Sequence, residues 1–194
     1  MDKQTAFLAL KARCLSALQN ELCPPVFGEG SLSPRIVLVG EAPGDNETRQ
    51  GRPFVGKAGQ NLNTFLEVLG LNREDIYITN IVKVRPTKCK ADSTRLSNRP
   101  PTDKEIAINR PFLLDELTLL KPEIIVTLGN TPLQALTMDK KMLIGAVHGT
   151  LQEVLLPDGI YKLFALYHPA SIIYNRGLSQ VYADDLEALA LLIK

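Results

Sequence analysis

The sequence predicts an α/β protein, a three-layer α/β/α sandwich in which helices cover both faces of a parallel sheet. Four short runs carry that reading: IVLVG (36–40), IYITNIV (76–82), EIIVTLG (123–129) and KLFALYH (162–168). They are rich in β-branched and aromatic residues and mostly apolar at both alternating positions, as strands buried on two faces require. Helical periodicity fills the intervals, and strand–helix alternation marks parallel strands joined by crossovers. With 194 residues, 45% hydrophobic and 22% charged, the chain has material for one buried core. A single domain over 1–194 is expected, with residues 1–25 forming a helical segment packed on it.

Taken in order, KQTAFLALKARCLSALQN (3–20) is an amphipathic helix. The first strand ends at Gly40 and opens the turn-rich loop GEAPGDNETRQGRPFVGKAG (40–59). GQNLNTFLEVLG (59–70) follows as a helix with Leu62, Phe65, Leu66 and Leu69 on one face, stopped at Gly70. After the second strand comes RPTKCKADSTRLSNRPP (85–101), the longest irregular stretch, whose length points to a functional loop. TDKEIAINRPFLLDELTLL (102–120) begins with a Thr cap and acids in its first turn, and Pro111 is expected to kink or divide it. The third strand leads to a helix at TPLQALTM (131–138). A weaker strand at LQEVLL (151–156) precedes the turn PDG, and SQVYADDLEALALLIK (179–194) closes the chain as a helix. Ligands of such sheets sit beyond the carboxyl ends of the strands. GEAPG, Asn80 and HPAS (168–171) all fall there.

No apolar run approaches the roughly 18 residues of a membrane span. The N-terminus lacks the pattern of an export signal. Three cysteines are too few for a disulfide scaffold, so a reducing, cytoplasmic setting is expected. Net charge is only +1, but Lys83, Arg85, Lys88, Lys90, Arg95 and Arg99 stand against the single acid Asp92 between residues 83 and 99. Such a run is either a solvated loop or a contact for a phosphate backbone.

GRPFVGKA (51–58) falls one residue short of the phosphate-loop pattern G-x-x-x-x-G-K-[ST]. A phosphate loop follows its strand directly, whereas Gly51 comes eleven residues after Gly40. Pro53 removes an N–H from the cradle, Phe54 fills it with a ring, and Ala58 replaces the hydroxyl that would reach magnesium. The stretch reads instead as a pocket wall, with Phe54 near the carboxylates Glu41, Asp45 and Glu47.

GEAPG (40–44), Glu47, GRPFVGKAG (51–59), YITNIVK (77–83), PFL (111–113), TLGN (127–130) and HPAS (168–171) together resemble the family 4 uracil-DNA glycosylases, in order and at similar spacing. VFGEG (26–30) adds to the likeness, which runs from about residue 26 to the C-terminus. It implies a central four-stranded parallel sheet and hydrolysis of the N-glycosidic bond of deoxyuridine flipped out of DNA, in base-excision repair. Phe54 is then the stacking wall and Asn80 the amide that reads uracil O4 and N3–H, with Gly40 and Ala42 lining the same site. His168 is the donor to the charge that develops on the leaving base. Glu41, Glu47 and Asp45 are candidates for positioning water, and spacing does not choose among them. Ser171, Ile172 and Ile173 are expected at a wedge in the DNA, with Lys83, Arg85 and Arg176 on its backbone. The expected partner is uracil-containing DNA, single- or double-stranded, bound by a monomer. A non-catalytic or uracil-capturing binder of uracil-containing or damaged DNA is the alternative.

Three departures from the family pattern matter. The resemblance implies a [4Fe–4S] cluster on four cysteines, but only Cys14 keeps its place, with Ala17, Val84 and Asn109 at the others. Clusters of this kind need thiolates, so no cluster and no metal are expected. The family also passes quickly from strand to helix where this chain inserts about nine residues, TKCKADSTR, which lack the histidine that covalent capture would need. After the wedge, Tyr174 and Arg176 stand where the family often has Arg and Pro.

Overall fold

In the computed structural model, which describes residues 2–90 and 93–193, alternate residues of the first long strand face different helical layers. The chain opens with α1 (Lys3–Ala17), whose first turn is capped by the Asp2 carboxylate accepting from the Thr5 N–H at 2.9 Å. Then come β1 (Glu29–Gly30), β2 (Ile36–Gly40), α2 (Asp45–Gln50), α3 (Lys57–Leu69) and β3 (Tyr77–Asn80). A hairpin of β4 (Thr87–Lys90) and β5 (Ser93–Asn98) precedes α4 (Asp103–Leu120). The remainder is β6 (Ile124–Leu128), α5 (Asn130–Thr137), α6 (Ile144–Val147), β7 (Leu151–Leu156), β8 (Gly159–Leu166), α7 (Pro169–Tyr174) and α8 (Ser179–Ile193).

The main sheet has the order β1-β3-β2-β6-β8-β7. Its four central strands are mutually parallel, as expected, and β1 and β7 add antiparallel edges. The sheet is therefore six-stranded and mixed around a four-stranded parallel centre. β7 is the weaker strand read at 151–156; β1, only two residues long, left no pattern to read. Val37 and Val39 pack with Phe7, Leu113, Leu117 and Leu133 on the face covered by α1, α4 and α5. Ile36 and Leu38 pack with Leu62, Phe65, Leu186 and Leu189 on the face of α3 and α8. The period of two in one short run thus feeds both layers. A third, smaller cluster joins Leu10, Cys14, Leu18, Cys23, Val84 and Phe112 at the corner between α1 and α4.

Three local readings are corrected. Pro111 does not divide α4, which runs unbroken through 103–120. A helix-interior proline costs about 3 kcal/mol, and the burial of Phe112, Leu113, Leu117 and Leu120 just beyond it outweighs that. The stretch 85–101 is not irregular: Thr87 pairs with Asn98, Lys88 with Ser97 and Cys89 with Leu96, with a register shift beyond Cys89. Its residues are polar almost throughout, which hid the alternation, and Leu96 is its anchor on the third cluster. Finally, α2 (DNETRQ) has no apolar face and is built by its first-turn acids instead.

Candidate active site

The carboxyl ends of β3 and β8 deliver Asn80 and His168 to one cleft of about 340 Å³, walled also by Phe54, Ala42, Glu47 and Asn98, and Gly40 at the end of β2 lies against Asn80 and Phe54. Gly40 is there because nothing larger fits. A Cβ on it would come within 2.4 Å of Asn80 Oδ1 and 2.5 Å of the Phe54 ring. Phe54 itself has a left-handed backbone, φ 53°, which non-glycine residues adopt only when their surroundings impose it. Those surroundings are Gly59, where a Cβ would sit 1.9 Å from the Phe54 carbonyl oxygen, and Arg73. Arg73 donates to the Pro53 and Phe54 carbonyls at 2.8 and 3.2 Å, and Glu29 holds its other side. The ring is thereby pressed flat beside the cleft, 6.0 Å from the His168 ring centre and tilted by 30°.

Asn80 is 2% exposed, and its Oδ1 has no hydrogen-bond partner among the described residues. Its backbone is fixed from below: the Lys83 ammonium donates to the Asn80 carbonyl at 2.9 Å, to Thr79 Oγ1 at 2.7 Å and to Glu116 at 2.6 Å. Lys83 is 1% exposed, so the expectation that it meets phosphate is overturned. A buried ammonium needs a counterion, and Glu116 from α4 supplies it.

His168 caps α7, its Nδ1 accepting from the Ala170 N–H at 3.1 Å. The proton of the neutral ring therefore sits on Nε2, as a donor. Burial pushes the imidazole down to about 4, against a weaker pull from the Glu47 charge, so the ring is neutral at physiological pH.

The three acids sort by what their oxygens touch. Glu47 accepts from the N–H groups of Gly44, Val55 and Gly56 at 3.1, 2.9 and 2.7 Å. It stitches the two ends of the loop together through both of its oxygens. Asp45 binds Arg49 through one oxygen and Arg85 through the other. Glu41, half-buried, is held through Oε2 by the Thr131 hydroxyl at 2.6 Å. It faces a second chamber that shares Ala42 and His168 with the cleft and is lined also by Gly129, Asn130 and Ser171.

Other expected DNA contacts are redistributed. Arg85 points inward, its side chain 10% exposed, between Asp45 and Asn98. Ile172 packs against the sheet instead of projecting, because α7 turns it inward. The side chain of Ile173 lies outside the described residues. Arg176 is exposed, and Tyr174 on α7 is 88% exposed. Arg73, Thr131, Glu116 and Asn98 were not anticipated.

The expected cluster ligand positions lead to the α1–α4 corner. Cys14 lies there among Leu10, Leu18, Val84 and Phe112, its thiol pushed up to about 11 by burial. Asn109 accepts from the Lys83 N–H and donates to the Glu105 carbonyl, both at 2.9 Å. Among the described residues no three His, Cys, Asp or Glu side chains are grouped to hold a metal. An apolar plug with a protonated thiol does not suit an iron–sulfur cluster.

The fold is that of an α/β protein whose cleft brings together an aromatic wall, a buried amide and a neutral imidazole donor. The chain belongs to the uracil DNA glycosylase superfamily, whose family model matches residues 27–190. It is similar to the Type-4 uracil-DNA glycosylase of Thermotoga maritima, 40% identical over 171 residues, covering 87% of this chain and 83% of that one. The Saccharolobus solfataricus Type-4 enzyme is 39% identical, with 82% and 72% covered. That of Archaeoglobus fulgidus is 37% identical, with 84% and 79% covered.

Proposed function

We infer that the protein is a uracil-DNA glycosylase, a monofunctional hydrolase that removes uracil from DNA in base-excision repair. The observation that carries this is the buried, partnerless Asn80 Oδ1 in a cleft with a ring on one side and a neutral donor nearby. A buried acceptor without a partner is costly unless a ligand completes it, and uracil N3–H does so while O4 takes the amide N–H. Cytosine presents the opposite polarity at that edge.

With the base stacked on Phe54, the C1′–N1 bond breaks and its electron pair leaves with uracil, charge collecting largely on O2. His168 Nε2–H donates to that charge as it develops, and as a neutral group it keeps its proton. Water then bonds to the oxocarbenium carbon from the Glu41 side. One Glu41 oxygen is fixed by Thr131, which leaves the other to orient the water and take its proton. Glu47 and Asp45 hold the walls.

The reaction runs without a cluster, a reading supported by the apolar side chains that fill the corner. The protein acts as a single-domain monomer on DNA. Incubation with a uracil-containing oligonucleotide, followed by alkali, gives strand cleavage. His168→Ala removes most of it, and Glu41→Gln lowers kcat at little cost in KM. Glu47→Gln lowers the melting temperature instead. Wild-type protein that binds the oligonucleotide without forming an abasic site would replace this reading with a non-catalytic binder.

A further inference from the structure

We propose that the groove between α4 and α5 is a second binding site, which takes a short apolar carboxylic acid, its carboxylate on the Arg110 guanidinium and its apolar body against Ile106, Ala135 and Met138. The groove has a volume of about 350 Å³, within the range of small-molecule sites. It shares no lining residue with the cleft that holds Phe54, Asn80 and His168. It borders the Glu41 chamber at Thr131, which lines both. Its ligand is therefore independent of the chemistry in the cleft. Ile106 and Ala107 lie four and three residues before Arg110 on α4, so the three share one face, and Ala135 and Met138 do the same at the end of α5.

Arg110 is the unfinished group of the groove. Arg35, Arg52, Arg73, Arg85 and Arg99 each meet a carboxylate. Half-buried Arg110 meets none among the described residues; its Nε donates to the Ala135 carbonyl at 2.6 Å, which fixes the guanidinium in place. The two Nη groups have no acceptor among the described residues and are not sealed from solvent. Burial lowers the Arg110 pKa, whereas a carboxylate partner raises those of Arg35, Arg52 and Arg99. A half-buried cation without a counterion costs free energy, and an arriving anion relieves that cost. The two Nη groups also match the two oxygens of one carboxylate.

The rim and the walls narrow the ligand further. Asp103 would repel a carboxylate if free, but it is paired with Lys140 across the rim. Arg110 and Lys140 against Asp103 leave the lining one positive charge, which a single carboxylate balances, with no second unpaired cation for a dianion. The walls are apolar: Ile106 is half-buried, Ala135 is buried, and Met138 stands exposed at the edge. Met138 ends α5 with a left-handed backbone, φ 57°, a place that glycine ordinarily fills. What methionine adds there is a flexible apolar wall that adapts to what it covers. Gln134 donates to the Lys140 and Met142 carbonyls at 3.0 and 3.2 Å, so the turn that carries Lys140 is held before a ligand arrives.

The test titrates the protein, with isotope-labelled methionine methyl groups, against 4-methylpentanoate and the neutral 4-methylpentanamide. The chain has three methionines, and Met138→Leu and Met142→Leu assign their NMR signals. The acid should shift the Met138 methyl signal saturably, with a Kd of about 1 mM for a ligand of that size. The amide should bind about tenfold more weakly, having lost the charge-assisted bonds. Arg110→Gln should bring the acid down to the affinity of the amide. Ala107→Trp, a change at an exposed wall position that leaves Arg110 in place, should fill the groove and abolish binding of both. Should Arg110→Gln fail to fold, the acid–amide comparison and Ala107→Trp still decide. Equal affinity for acid and amide would overturn the proposal, and so would unchanged acid binding in Arg110→Gln or the lack of any saturable shift. An acetylated peptide ending in a free leucine carboxylate that bound more tightly than the acid would overturn it too, making the groove a dock for the C-terminus of another protein.

Discussion

Asn80 and Asn109 are buried alike, at 2% and 3% exposure, and are treated in opposite ways. Asn109, at the corner where the family resemblance implies a cluster ligand, is satisfied at both ends of its amide by the Lys83 N–H and the Glu105 carbonyl. Asn80, at the carboxyl end of β3, keeps a buried oxygen with no partner among the described residues. Among the described residues the hydroxyls of Tyr77, Thr127 and Tyr182 also lack partners, but none of them lines the cleft. Burying an amide costs free energy unless its bonds are made within the protein or by something that arrives later. The corner completes its bonds internally, as a structural region does; the cleft leaves one open, as the proposed uracil site requires. Arg73 and Lys83 show how the open bond is maintained, since each pins a backbone carbonyl beside it so that the cleft does not collapse onto Asn80.

Replacing the two asparagines separates the regions. Asn80→Ala is expected to lower kcat/KM on uracil-DNA by about 10²–10³-fold, the usual cost of losing one positioned group at a developing charge or its recognition edge. Its melting temperature should hold or rise, because an unpaired buried oxygen is removed. Asn109→Ala should do the reverse. It strands the Lys83 N–H and should cost about 1–3 kcal/mol in urea denaturation, with the slope unchanged and specific activity kept below the transition. If Asn109→Ala abolished turnover in the folded protein, or Asn80→Ala left turnover intact, the contrast between the two regions would be gone.

What the sequence made legible follows from how far each interaction reaches. The parallel strands showed themselves as apolar runs of adjacent residues, and Gly40, Asn80 and His168 stand at or near their ends, with Phe54 in the loop that follows the first. The supports did not, because they join distant positions. Thr131 holds Glu41 across 90 residues, Arg73 holds Glu29 across 44, and Glu116 meets Lys83 across 33. Lys83 and Arg85 read as free cations for the same reason, since their partners Glu116 and Asp45 lie on other elements. The hairpin was hidden by its own polarity; only Leu96 carries a packing signal. Which acid is free could not be read from spacing, for Glu41, Asp45 and Glu47 differ in what their oxygens touch and not in residue type.

The gentlest way to probe the contrast is to titrate the cleft without mutating it. His168 is held neutral by burial, with its Nδ1 engaged by the Ala170 N–H, and protonation would both charge a buried ring and break that bond. The imidazole resonances of the protein, two in number because the chain has two histidines, are resolvable by NMR, and His148→Gln tells them apart. The His168 resonance should titrate with a midpoint near 4, against about 6.5 for an unhindered histidine. The linked stability has a definite sign. Between pH 6.5 and 4 the unfolded chain binds a proton that the folded protein refuses, so His168 lowers stability progressively as pH falls through that window. Its contribution is complete above 6.5 and levels off below 4. A midpoint near 6.5 would mean that water reaches the ring freely, and that the cleft is no more protected than the protein's surface.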